Sequence, residues 1–196
     1  MSKIIVFESV TLDGVMQSPA RPDEDARGGF QYGGWATPYA DPTLGRVSTE
    51  GMGNIGALLL GRRTYLDFYA VWPNRTDNPY TEVLNNTQKY VASTTLKEPL
   101  PWINSTLLKG NVPEAVAELK AELDKDILVM GSGELVRTLR KHILVDQYVL
   151  LIHPLVLGAG RRISTEGEPS AALRLIEVRT TSTGVVIAAW EVETNR

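Results

Sequence analysis

A three-layer α/β fold around a mixed, mostly parallel sheet is predicted by three features of this sequence. Short β-branched apolar runs alternate with helical patterns as far as about residue 145, and from there strands follow one another without helices. Crossover helices give parallel neighbours, whereas strands joined only by loops return antiparallel, so the C-terminal strands are expected to be antiparallel. No Gly/Ser or Pro linker, repeat or low-complexity tract divides the 196 residues, and a single domain over 1–196 is expected.

The elements follow in order. Lys3 to Ser9 reads as the first strand, an apolar run ending near an acid. Gln17 to Pro42 is rich in Gly, Pro and aromatics without periodicity, the composition of a lid or binding loop. A helix is expected to start near Pro42. Ala57 to Leu60 is wholly apolar, as strands buried in a parallel sheet are, and leads to a helix through Tyr65 and Phe68. Lys89 to Ala92 and Asp126 to Met130 are similar strands. Between them Asn111 is placed to cap a helix, with Pro113 and Glu114 in its first turn and Val112, Val116, Leu119 and Leu123 on one face. Gly133 to Lys141 is a second such helix, with Arg137, Arg140 and Lys141 toward its C-terminal end. Gln147 to Ile152, Leu173 to Val178 and Val185 to Val192 are the closing strands.

Composition removes several classes of function. The chain is 43% hydrophobic and 22% charged, ordinary for a globular protein. A net charge of -3 and a pI near 5.5 give no cationic field for nucleic acid or an acidic membrane. The absence of cysteine excludes disulfides, thiolate nucleophiles and Cys-ligated metals. With His142 and His153 alone, a multi-histidine metal site or a Ser-His-Asp hydrolase is hard to assemble. The first apolar run is too short for a secretory leader, and no stretch reaches a membrane span, so a cytoplasmic protein is expected.

Ligands of open α/β sheets bind beyond the carboxyl ends of the strands. Two strand-to-helix turns there carry anion-binding chemistry. Gly61-Arg62-Arg63-Thr64 offers a close backbone approach, the free N–H groups of a helix start and two cations. Met130-Gly131-Ser132-Gly133-Glu134 has the glycines of a tight turn able to cradle a pyrophosphate. Either alone also reads as a plain tight turn with surface charge; two on neighbouring strands are a stronger signal. A third turn, Ser93-Thr94-Thr95, presents hydroxyls suited to a ribose or 2′-phosphate. There is no Walker A motif and no GxGxxG fingerprint.

Leu58-Leu59-Leu60-Gly61-Arg62-Arg63-Thr64-Tyr65 followed by Trp72-Pro73 resembles the dihydrofolate reductase superfamily. Ser9-Val10-Thr11-Leu12-Asp13-Gly14, Lys89 to Ser93, Val129 to Gly133 and Pro154 to Gly158 resemble more narrowly its branch containing the riboflavin-biosynthesis reductase domain. The likeness runs in order over nearly the whole chain and implies a dihydrofolate reductase-like fold. It implies NADPH as cofactor, with Gly61, Arg62, Arg63 and Thr64 at the phosphates and Ser93 and Thr94 beside the adenosine end. It also implies Gly131, Ser132, Gly133, Glu134 and Leu135 at the pyrophosphate, and Ser9 and Met16 around the nicotinamide. Two arginines at one turn agree physically with an extra phosphate dianion.

The same likeness raises a catalytic candidate. Trp35-Ala36-Thr37-Pro38-Tyr39-Ala40-Asp41 resembles, with one extra residue, the segment that brings a carboxylate into the pterin pocket. Asp41 is expected either to donate a proton, with its pKa raised in a closed pocket, or to cap the helix at Pro42. Trp35 and Phe68 are candidates to stack on a planar substrate ring, or else to pack in the core or lid. His153 reads as structural, Arg161 and Arg162 as a solvated loop, and Asp23-Glu24-Asp25 as exposed without metal-loop spacing. The expected activity is hydride transfer from NADPH to a pteridine or pyrimidine heterocycle, such as dihydrofolate or a ribosylaminouracil phosphate. The alternative is a nucleotide-binding protein of the same fold without turnover. A homodimer is expected, the resemblance and the apolar closing strands both pointing to it.

Overall fold

The computed structural model describes residues 2–78 and 80–193. Eight strands form one sheet: β1 (Ile4–Thr11), β2 (Ile55–Gly61), β3 (Gln88–Ala92), β4 (Ser105–Leu108), β5 (Asp126–Met130), β6 (Gln147–His153), β7 (Leu173–Thr180) and β8 (Val186–Val192). Their order is β4-β3-β2-β5-β1-β6-β8-β7. All neighbours are parallel except β6–β8 and β8–β7. This is the expected switch from helical crossovers to loop connections.

Among the described residues five α-helices accompany the sheet: α1 (Pro42–Gly51), α2 (Arg62–Val71), α3 (Tyr80–Asn86), α4 (Val112–Glu122) and α5 (Gly133–Lys141). The period of two in β1 divides them between two faces. Ile4 and Val6 join Val116 of α4 and Leu135, Val136 and Leu139 of α5 in one buried cluster. Ile5 and Phe7 face the other way, toward a cluster holding Tyr65 of α2 and Leu84 of α3. Helix α1 lies on this second face, where Leu44 and Val47 reach Leu151, Val185 and Ile187. No side chain of α1 is buried, so it rests on the sheet without being packed into it.

Two elements were not foreseen, α3 and β4. A seven-residue helix and a four-residue edge strand are too short to show a period, and tertiary partners decide them. One such partner is Lys89, fully buried on β3. Its ammonium donates to the carbonyls of Leu84 at 2.7 Å and Thr87 at 2.6 Å, closing the end of α3, and lies 4.5 Å from the Trp102 ring centroid. Burial pulls its pKa down to about 8. Asn111 precedes α4 as expected, yet its side chain caps no backbone N–H. Its amide instead donates to Glu114 at 2.9 Å. Among the described residues no helix is long and apolar enough to cross a membrane.

Candidate functional site

The three turns singled out in the sequence follow β2, β3 and β5, which are adjacent in the sheet. Parallel pairing brings their carboxyl ends to one edge, so the turns lie side by side. Ser132 joins two of them. Its hydroxyl accepts from the Gly61 N–H at 2.7 Å and donates to the Thr64 hydroxyl at 2.8 Å. To do this Ser132 adopts φ 68°, directly after Gly131 at φ 60°. A left-handed serine is strained, and its two hydrogen bonds offset that cost. Space here is tight: a Cβ on Gly131 would stand 2.8 Å from Thr64 Cγ2, and one on Gly133 would stand 3.1 Å from Met16 Sδ.

The third turn is tied to the first by Arg62, whose guanidinium donates to the Thr95 hydroxyl at 2.9 Å. The Ser93 hydroxyl accepts from the backbone of Thr95 and Leu96, which fixes the turn, while Thr94 is exposed. Arg62 and Arg63 are exposed at the start of α2 and form no ion pair among the described residues. Most other described arginines are paired with carboxylates. Two unpaired guanidiniums beside the N-termini of α2 and α5 fit the phosphates of a dinucleotide carrying an additional 2′-phosphate. Glu134 is exposed on the first turn of α5 and pairs with Arg137, whereas the Leu135 side chain enters the core, leaving only its backbone to offer.

On β1, Ser9 faces the α1 side, two residues beyond Phe7, and Met16 reaches the β5–α5 turn through Gly133. On the opposite face of β1 stands a residue that sequence reading missed. Glu8 is buried within the otherwise apolar Ile4–Val6–Val10 face. Its Oε1 has no hydrogen-bond partner among the described residues. Burial, then the charge of Glu24, raises its pKa well above the ordinary value, opposed by a backbone bond from Gly131. An acid where the alternation demands an apolar side chain was the available signal.

The loop ahead of α1 is stitched together. The Trp35 indole donates to the Gln17 carbonyl at 2.7 Å, and the Gln17 amide donates to the carbonyls of Asp25 and Arg27. Trp35 and Tyr39 both meet the buried His153 ring edge-on, and burial lowers the His153 pKa, in keeping with a structural histidine. Trp35 is therefore spent on holding the loop, and Phe68 packs against the α2–α3 core. Trp35 is buried and offers no free face to a substrate ring, whereas Phe68 is only partly buried beside that cluster.

Asp41 follows the capping alternative. Its carboxylate accepts from Thr43 N at 2.7 Å and from Ser182 N at 3.0 Å and Oγ at 2.5 Å, in the β7–β8 turn. These bonds, the Ser182 hydroxyl foremost, lower its pKa to about 2. The expected upward shift is corrected: the group is not enclosed in a pocket and is multiply hydrogen-bonded, so it is ionised at neutral pH. Arg161 is exposed and Arg162 partly buried, in keeping with a solvated loop, and they face Glu134 at 3.5 Å and Asp13 at 3.1 Å. Within Asp23-Glu24-Asp25 only Asp23 is exposed; Glu24 accepts from Ala20 N, and Asp25 pairs with Arg27.

Beneath α1, on the face carrying Ser9, lies a cavity of about 260 Å³. Strand residues Phe7, Leu128 and Val149 form part of its floor, and Val47 and Ser48 of α1 part of its roof. None of these had been assigned a role from sequence, because they meet only when β7, β8 and α1 close over the sheet.

An eight-stranded sheet of this order, mostly parallel with antiparallel closing strands, defines a dihydrofolate reductase-like fold. Within that class the chain belongs to the RibD C-terminal domain family, whose model matches residues 2–187. A Bacillus subtilis (strain 168) relative, the uncharacterized protein YyaP, is 30% identical over 189 residues, 94% of this chain and 92% of its own. A putative riboflavin biosynthesis protein from Shewanella sp. PV-4 superposes with a TM-score of 0.72 at 24% identity, over 97% of this chain and 99% of its own. A pyrimidine reductase-like protein of Corynebacterium diphtheriae gives 0.70 at 12% identity, over 99% and 93%. Acinetobacter baumannii RibD gives 0.66 at 12%, this chain spanning 59% of its length.

Proposed function

We propose that the protein is an NADPH-dependent reductase of a planar nitrogen heterocycle of the pyrimidine or pteridine kind. The observation that carries the reading is the alignment of three anion-binding turns on adjacent strands, with Arg62 and Arg63 unpaired beside two helix N-termini. The backbone of Gly131, Ser132 and Gly133 would hold the pyrophosphate, Arg62 and Arg63 the 2′-phosphate, and Ser93 and Thr94 the adenosine end. Ser9 and Met16 would flank the nicotinamide, and the cavity under α1 would take the substrate. The cofactor supplies the hydride when bound; the protein contributes orientation and exclusion of water. Asp41, ionised at neutral pH, holds no proton to give, so solvent delivers it.

The chain is taken to work in the cytoplasm as a homodimer pairing through β7. What supports the pairing is that β7 is an edge strand with Leu175 and Val178 exposed on one face, beside Trp190 and Ala188 of β8.

NADPH and NADH titrations into the native protein and Arg62→Ala/Arg63→Ala, together with loss of NADPH absorbance on adding pterins and aminopyrimidines, test the reading. Charge-assisted bonds of roughly 1.5–3 kcal/mol each, weakened by exposure, imply a loss of at least about tenfold for NADPH beyond that for NADH. Equal losses for the two cofactors would remove the 2′-phosphate assignment. NADPH binding with no turnover of any heterocycle would instead favour a nucleotide-binding protein without reductase activity.

A further inference from the structure

The cavity under α1 has an apolar interior and an anionic mouth. Ile5 and Phe7 of β1, Leu128 of β5, Val149 of β6 and Ile187 and Ala189 of β8 make its floor. Its lining also includes Glu50 at the end of α1 and Glu177 and Arg179 on β7. Direct antiparallel pairing of Glu177 with Ala189 and of Arg179 with Ile187 turns both β7 side chains to this face. Arg179 is the sole cation in the lining, and it is already engaged by both carboxylates, Glu50 at 3.0 Å and Glu177 at 2.5 Å. Two carboxylates against one guanidinium leave the mouth with one net negative charge.

Such a mouth disfavours any substrate whose tail carries a phosphate or carboxylate, because Glu50 and Glu177 line the cavity with solvent-exposed carboxylates and the lining holds no unpaired cation to receive the tail. The volume is near the small end for ligand sites and suits one or two fused rings. We propose that the substrate of this protein is a neutral, unphosphorylated one- or two-ring heterocycle, selected against anionic forms by the Glu50–Arg179–Glu177 cluster. This rests on the heterocycle-reductase reading given above and narrows it; it sets the chain apart from a reductase acting on a sugar-phosphate pyrimidine.

Matched probes test it by calorimetric binding to the NADP⁺-loaded protein, without turnover. One pair is 5-amino-6-ribosylaminouracil with and without its 5′-phosphate; the other is 7,8-dihydrofolate against 6-methyl-7,8-dihydropterin. The uncharged member of each pair is expected to bind at least about tenfold more tightly, a difference of about 1.4 kcal/mol. In Glu50→Gln/Glu177→Gln, where Arg179 is released, the preference should shrink or reverse, with the melting temperature of the exposed-site variant little changed. Equal or tighter binding of the anionic member by the native protein overturns the proposal, as does an unaltered preference in the double variant. Failure of both members to bind at millimolar concentration overturns the cavity as a heterocycle site. Retained selectivity with no NADPH oxidation would overturn only the reductase reading and leave the charge selection standing.

Discussion

Replacing Gly131 by alanine perturbs the junction on which the candidate cofactor cradle depends. The residue sits at φ 60°, where a side chain costs roughly 1–2 kcal/mol. The added Cβ would stand 2.8 Å from both Cγ2 and Oγ1 of Thr64, so Thr64 must move. Thr64 is held by the Ser132 hydroxyl, which also receives the Gly61 N–H, and losing one such bond costs roughly 0.5–1.5 kcal/mol. Together about 2–3 kcal/mol is expected. For a domain of this size that lowers the melting temperature by roughly 4–12 °C in differential scanning fluorimetry. Because the displaced atoms lie in the two turns assigned to the phosphates, NADPH affinity should fall by at least about tenfold, which fluorescence titration reads. Thr64→Ala in the same chain removes both clashing atoms, so the double variant should lose less than the sum of the single losses. Strictly additive losses, or Gly131→Ala melting and binding like the native protein, would refute the steric link between the turns.

Three other outcomes are expected. Asp41→Asn should keep both its cap and turnover, since Asn caps as Asp does. With a folded pKa near 2 against 3.8 unfolded, Asp41 contributes stability above pH 3.8 that disappears as pH falls toward 2; the variant should lack that acid-limb dependence, and a marked loss of turnover would restore Asp41 as the proton donor. Glu8 has its pKa raised by burial, so its contribution is fully present below pH 4.5 and is lost as pH rises through the folded value. Glu8→Gln should therefore flatten the fall in melting temperature on the alkaline side, and identical profiles would show that Glu8 is not the titrating group. Leu175→Arg on the exposed face of β7 should convert a two-chain mass to one chain by light scattering, whereas an unchanged dimer would place the contact elsewhere.

The strand order of events along the chain was legible because burial imposes periodicity. Asp126–Met130 and Gly133–Lys141 fall where sequence alone put them, since an all-apolar run and an apolar stripe leave few other packings. Two of the three turns were legible for a local reason too: Gly61, Gly131 and Gly133 mark backbone approaches that another residue would obstruct. What local pattern could not determine was how distant segments meet. Asp41 had two open roles until Ser182, far along the chain, supplied the bonds that hold it ionised. Trp35 and Phe68 are aromatic in either role, and only packing decided that Trp35 is buried while Phe68 stays partly exposed. The paired Arg179 and the cavity floor likewise depend on β7, β8 and α1 converging. Sequence therefore determined which segments become strands, helices and phosphate turns, because those follow from nearest-neighbour chemistry. Tertiary structure decided which charges are free, which carboxylates hold protons and what shape of ligand fits, because these depend on solvent exclusion and on partners distant in the chain.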